Sequence, residues 1–99
     1  MKVEIFNNYL DNIIKLYSIP RDWIFSKNKK MQVVDARHML YYLCSNRKIP
    51  VSYIQRYMDM NGYVIGHSSI IHGIKSIESK AQADTDYKQI IKNLEKWKS

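Results

Sequence analysis

His67, Ser68, Ser69, His72 and Lys75 fall within one short stretch of the chain, and the chemistry open to them is hydrogen bonding and charge. A serine nucleophile needs a base and a third group that orients the base, and nothing around His67-Ser68-Ser69 supplies them. Zinc ligands on a helix share a face at i, i+4, whereas His67 and His72 are spaced i, i+5 and diverge. Cys44, the chain's single cysteine, offers them no partner cysteine. Asp84 and Asp86 could hold a cation, but two acids at a helix start read first as caps. Gly62, Gly66 and Gly73 do not make a phosphate-binding loop. No catalytic residue, metal ligand or cofactor site is therefore expected, and recognition is left.

The element that must carry these groups runs from Gly66 to Glu78. Ile70, Ile71, Ile74 and Ile77 follow the spacing of one buried helical stripe, which turns Ser68, Ser69, His72, Lys75 and Ser76 outward. A solvated helix face more often carries Glu and Lys, because serine disfavours helix. Compact hydroxyls and imidazoles at a helix start, with a lysine further back, suit a helix entering the DNA major groove by its positive end. The same residues also fit a core helix whose serines cap its own start. The stretch alone leaves both readings open.

Composition favours an anionic partner. The 99 residues carry a net charge of +7 with pI near 9.5, as nucleic acid or a membrane surface would require. Residues 1–58 hold ten Lys and Arg against four acids, and residues 59–99 hold six against five. Any grip on phosphate must come mostly from the first part. The length fits one domain, 1–99, burying roughly 60–65% of the surface of the unfolded chain. The longest apolar run, Met39 to Cys44, is far short of the roughly 18 residues that span a bilayer. Glu4 and two asparagines stand where a signal peptide would be apolar, so a cytoplasmic location is expected. Cys44 follows Leu40 by one turn and is expected as a small buried hydrophobe.

The remaining elements follow from periodicity. Phe6, Leu10, Ile13, Ile14 and Tyr17 predict an amphipathic helix over about Glu4 to Tyr17, ended by Ile19-Pro20. Pro20 opens a short helix whose Trp23, Ile24 and Phe25 anchor it to the core. Ser26-Lys27-Asn28-Lys29-Lys30 is an exposed basic loop. From about Gln32, Val33, Ala36, Leu40 and Leu43 predict a second long helix, with Asp35 in its first turn and Arg37 and His38 at the edge of its apolar face. After Ile49-Pro50 comes a helix with Ile54, Tyr57 and Met58 inward and Gln55 and Arg56 outward. Asn61-Gly62 is a turn. Ser79 to Asp84 is a polar connector, and Asp84-Thr85-Asp86 caps a last helix with Tyr87, Ile90, Ile91, Leu94 and Trp97 on one side. The expectation is an all-α domain of five to six helices in which two helices joined at Asn61-Gly62 form a helix-turn-helix.

Ser26-Lys27 with the lysines after it, Ala36-Arg37-His38-Met39 leading into Tyr42-Leu43, and His67-Ser68-Ser69-Ile70-Ile71-His72-Gly73 with Ile77-Glu78 resemble the C-terminal DNA-binding domain of the bacterial replication initiator DnaA. The opening helix and the Ile19-Pro20 turn also match, so the resemblance covers nearly the whole chain. It implies a Trp-repressor-like helix-turn-helix. His67, Ser68 and Ser69, with His72 beside them, would then approach base edges, Lys75 would lie at phosphate, and Lys27, Lys29 and Lys30 would form the loop on the adjacent backbone and minor groove. The chain departs from the family at Ile65 and Gly66, where the family has arginine and aspartate, and in a longer connection between Met58 and His67.

The expected partner is double-stranded DNA, in replication or transcription control and possible for a phage or mobile element. With about six phosphates engaged, log affinity should fall with log salt at a slope near −5. The competing expectation is a helical adaptor that keeps the fold and binds a protein through its last helix, with Tyr53 and Tyr63 as surface candidates. Membrane attachment is not expected, because the basic loop lacks adjacent apolar anchors. The sequence does not fix an oligomeric state.

Overall fold

A computed structural model describes residues 2–96. Six helices follow in order: α1 Lys2–Tyr17, α2 Arg21–Ile24, α3 Met31–Asn46, α4 Val51–Met60, α5 His67–Ala83 and α6 Thr85–Glu95. The fold is all-α, with no strand among the described residues. Trp97, expected on the inner side of the last helix, lies outside them.

The core is organised on α3, against which both α1 and α5 pack. Val33, Ala36, Met39, Leu40, Tyr41, Leu43 and Cys44 are all buried. These positions wrap most of the helix circumference, as a central helix requires. Phe6, Leu10 and Ile13 come from α1, Ile24 from α2, Ile54 and Met58 from α4, Ile70 and Ile77 from α5, and Ile91 and Leu94 from α6. The Phe6 and Tyr57 rings meet at 5.3 Å between centroids, joining α1 to α4. Burial pushes the Cys44 thiol up, so it is a packed apolar group and not a thiolate.

Three helices end the same way. Ser18, Lys48 and Gly62 take positive φ, at 54°, 65° and 90°. The next N–H then turns back to the helix: Ile19 to Ile14 at 3.3 Å, Ile49 to Cys44 at 3.1 Å and Tyr63 to Met58 at 3.0 Å. This termination satisfies carbonyls left open by the last turn and folds the following apolar side chain onto the core. Ile19 and Ile49 are accordingly buried. Pro20 and Pro50 follow in extended conformation as N-caps of α2 and α4.

The helix boundaries correct three expectations. Ile71 does not join the buried stripe of α5 but is 41% exposed. Successive helical residues are about 100° apart, and the stripe centres on Ile70, Gly73 and Ile77, so Ile71 rolls outward. The polar connector from Ser79 to Asp84 shrinks to Asp84 alone. Residues 79–83 continue α5, where the Lys80 ammonium reaches Asp35 at 2.7 Å. Asp84 then caps α6 as expected, accepting from the Asp86 N–H at 2.8 Å. Asp35, finally, is not in a first turn, because α3 starts at Met31. Its carboxylate accepts from the Tyr17 hydroxyl at 2.6 Å, Lys80 at 2.7 Å and the Tyr87 hydroxyl at 3.1 Å. One acid therefore ties α1, α5 and α6 to α3.

Candidate nucleic-acid interface

The first turn of α5 is presented without a cap of its own. Gly66 is the N-cap residue and makes no side-chain capping bond. Ser68 and Ser69 lie inside the helix and are exposed, so the serines do not cap it. The first-turn N–H groups of an α-helix have no intrahelical acceptor and carry the positive end of its dipole. Ser68, His72 and Lys75 follow i, i+4, i+7 on one exposed face, with His67 and Ser69 beside them. All five expected residues are exposed, with Ser68, His72 and Lys75 on one face and His67 and Ser69 on either flank of it about 100° away.

Opposite this turn lies a groove of about 330 Å³, lined by Arg37, His38, Tyr41, Tyr63, Ile65, Ser68, Ser69 and His72. No acid is among the lining residues. The His38 and His72 rings meet edge to face at 5.9 Å. The buried His38 Nδ1 and Tyr41 hydroxyl have no hydrogen-bond partner among the described residues. Burial lowers the His38 pKa below its ordinary 6.5, helped by His72 and Lys80 and opposed by Asp35. Burial likewise pushes the Tyr41 phenol up. Both groups stay neutral at physiological pH and can donate or accept. α3 and α5 approach closely here because Gly73 has no side chain: a Cβ at that position would stand 2.7 Å from His38 Cδ2.

Arg37 was expected at the edge of α3 and is instead 5% exposed. Its Nε donates to the Ile24 carbonyl at 2.9 Å, and one terminal nitrogen donates to Ser26 at 2.8 Å, Trp23 at 3.3 Å and Asn28 at 3.4 Å. The guanidinium also lies over the Tyr63 ring, 4.8 Å from its centroid, a favourable cation–π geometry. No carboxylate among the described residues pairs with it. Its charge is met by carbonyl dipoles and the face of the Tyr63 ring. The signal was present in the sequence: Arg37 is i+4 from Val33 and i−3 from Leu40, on the buried side.

The basic loop is consequently a fixed structure. Ser26 Oγ donates to the Trp23 carbonyl at 2.8 Å and accepts from the Asn28 N–H at 3.3 Å, and the Lys30 N–H donates to Asn28 Oδ1 at 2.9 Å. Lys27, Lys29 and Lys30 are exposed on this frame, with the Lys30 ammonium 4.9 Å from the Trp23 ring centroid. Gln55, expected outward, is half-buried and donates to the Ile65 carbonyl at 2.8 Å. Tyr53 and Tyr63, expected as surface tyrosines, are also half-buried. The Tyr53 ring lies under Arg56 at 5.2 Å and Lys2 at 5.4 Å.

No family model matches the chain, and no curated protein matches it. Among the described residues there is no group of three His, Cys, Asp or Glu that could hold a metal ion. None of their helices is long and apolar enough to cross a membrane.

Proposed function

We propose that the chain is a double-stranded DNA-binding protein of the kind its DnaA resemblance implies, with α4 and α5 as the helix-turn-helix. The observation that carries this reading is the position of Arg37. It holds the lysine loop by the Ser26 and Asn28 carbonyls and lines the same groove as Ser68, Ser69 and His72. The basic loop and the uncapped start of α5 are therefore flanks of one surface. In a complex, the start of α5 enters the major groove, with His67, Ser68, Ser69 and His72 at base edges. Lys75 and the loop lysines Lys27, Lys29 and Lys30 neutralise phosphates. Serine hydroxyls discriminate bases less than a bidentate Arg or Asn does, so sequence preference is modest. The role is in replication or transcription control, and a phage or mobile element is a fitting source.

The test is a fluorescence-anisotropy titration of random-sequence duplex DNA over a salt series, with a Ser68→Ala, Ser69→Ala variant alongside. The expected result is a log–log salt slope near −5 and a larger loss for the variant on selected sites than on random DNA. Absence of binding at low salt would overturn the reading. The second reading, a protein adaptor docking on the last helix, is favoured by one feature. Leu16 is 50% exposed and, with Ile90 and Leu94, lines a groove of about 380 Å³ between α1 and α6. Substituting Lys27, Lys29 and Lys30 separates the two, since it weakens DNA binding and its salt dependence and spares a partner on α6.

A further inference from the structure

The connection from Asn61 to Gly66 holds one apolar side chain in solvent on purpose-built supports. Tyr63 is half-buried beneath the Arg37 guanidinium, and its N–H is bonded to the Met58 carbonyl at 3.0 Å. Ile65 is half-buried and its carbonyl accepts from Gln55 at 2.8 Å. Between these two inward residues Val64 points out and is 84% exposed. Tyr63 and Ile65 are thus held against the protein on either side of the exposed Val64. Val64 precedes the N-cap of α5 by two positions and shares a groove with Ser52, Gln55, Arg56 and Asp59 of α4, whose one cation and one acid leave it without net charge. An isopropyl group this exposed beside a helix start buries little area in the fold. It is available to a partner.

We infer that Val64 contacts thymine methyl groups in the major groove and gives this protein a preference for thymine at the edge of its site. The inference rests on the DNA-binding reading above and adds what that reading lacks. The serines and histidines of α5 can hydrogen-bond to either kind of base pair, whereas the thymine methyl is the one apolar group the major groove offers. The position fits as well. Val64 lies just ahead of the end of α5 that enters the groove, and Arg56 beside it on α4 is exposed and cationic, placed for the neighbouring phosphate. A protein partner would also accept an exposed valine. The chain's net charge of +7 favours DNA, as does the link from Tyr63, next to Val64, through Arg37 to the lysine loop.

The experiment compares alternating A·T and alternating A·U duplexes of equal length, which differ only in the thymine methyl, for the full chain and a Val64→Ser variant. Because Val64 is exposed, the variant is expected to unfold at the same temperature as the parent. Burying one methyl against the isopropyl group should make the parent bind the A·T duplex about fourfold more tightly than the A·U duplex. In Val64→Ser the ratio should fall to about one, with affinity for the A·U duplex unchanged. Salt-sensitive binding to both duplexes with equal affinity for the parent, or a ratio that persists in the variant, would overturn the role of Val64 and leave the DNA-binding reading standing. No binding to either duplex at low salt would overturn both.

Discussion

The Arg37 guanidinium donates to the Ser26 carbonyl at 2.8 Å, so a side chain that lines the α5 groove also sets the shape of the lysine loop. Pre-ordering a loop lowers the entropy lost when it binds, and the frame depends on a forked group that a lysine cannot imitate. Arg37→Met leaves the Ile24 and Ser26 carbonyls without their donor. Unsatisfied buried acceptors cost about 1–3 kcal/mol, so urea unfolding should show a loss of about 2 kcal/mol, with Arg37→Lys recovering only part of it. A variant as stable as the parent would mean that the loop holds itself.

The loop lysines act differently, because they are exposed and touch no carboxylate among the described residues. Replacing Lys27, Lys29 and Lys30 by Gln should leave the unfolding midpoint within experimental scatter. On duplex DNA the log–log salt slope should become shallower by about 2.7, one phosphate per lysine. An unchanged slope would place the phosphate contacts elsewhere on the protein.

Periodicity read the helices well because their apolar faces are strict. Phe6, Leu10 and Ile13 on α1, and Val33, Ala36, Leu40 and Leu43 on α3, are buried as spaced. The prolines after Ile19 and Ile49 marked corners that the structure contains. Reading failed where a polar group is satisfied by a partner distant in sequence. Nothing near Asp35 announces its bonds to Tyr17, Lys80 and Tyr87, and without the Lys80 bond residues 79–83 read as a polar linker. For Arg37 the spacing from Val33 and Leu40 marked the buried side, but its acceptors are carbonyls, and carbonyls leave no trace in a sequence. The exposure of His67, Ser68, Ser69, His72 and Lys75 on α5 was legible, whereas Ile71 and Ser76 were misread; the groove beside them, built from α3 and the connection before α5, was not legible.

Gly73 sets the spacing of α3 and α5. A Cβ there would lie 2.7 Å from His38 Cδ2 and 3.0 Å from Tyr41 Cδ2. His38 is half-buried and can turn aside, but the Tyr41 ring is fully buried. Ala in place of Gly gains about 1 kcal/mol of helix propensity, against about 1–3 kcal/mol for overpacking. We expect Gly73→Ala to be less stable by about 1 kcal/mol, with the His38 imidazole resonances displaced in NMR spectra. A gain in stability would show that the two helices separate freely at this point.

The titrating groups predict a stability plateau with two distinct limbs. Tyr17, Tyr41, Tyr87, Cys44 and Lys80 all have pKa values raised in the folded protein. Burial is the main cause for the phenols and the thiol, and the hydrogen bond to Asp35 for Lys80. Above the ordinary values of 9.0 for the thiol and 10.0 for the phenols, the folded state binds more protons than the unfolded state. Stability therefore falls as pH rises. His38 has the opposite sign: its pKa is lowered from 6.5 by burial, so its contribution is present above pH 6.5 and lost as pH falls through the folded value. Thermal unfolding should hold steady between these limits, decline above about pH 9 and decline again below about pH 6.5. Tyr17→Phe should lower the plateau, because Asp35 loses a donor at 2.6 Å, and should flatten the alkaline limb. His38→Gln should flatten the limb between pH 6.5 and the range where carboxylates titrate. An acid limb that persists there in His38→Gln would assign it to another group and leave the buried imbalance at His38 without consequence for folding.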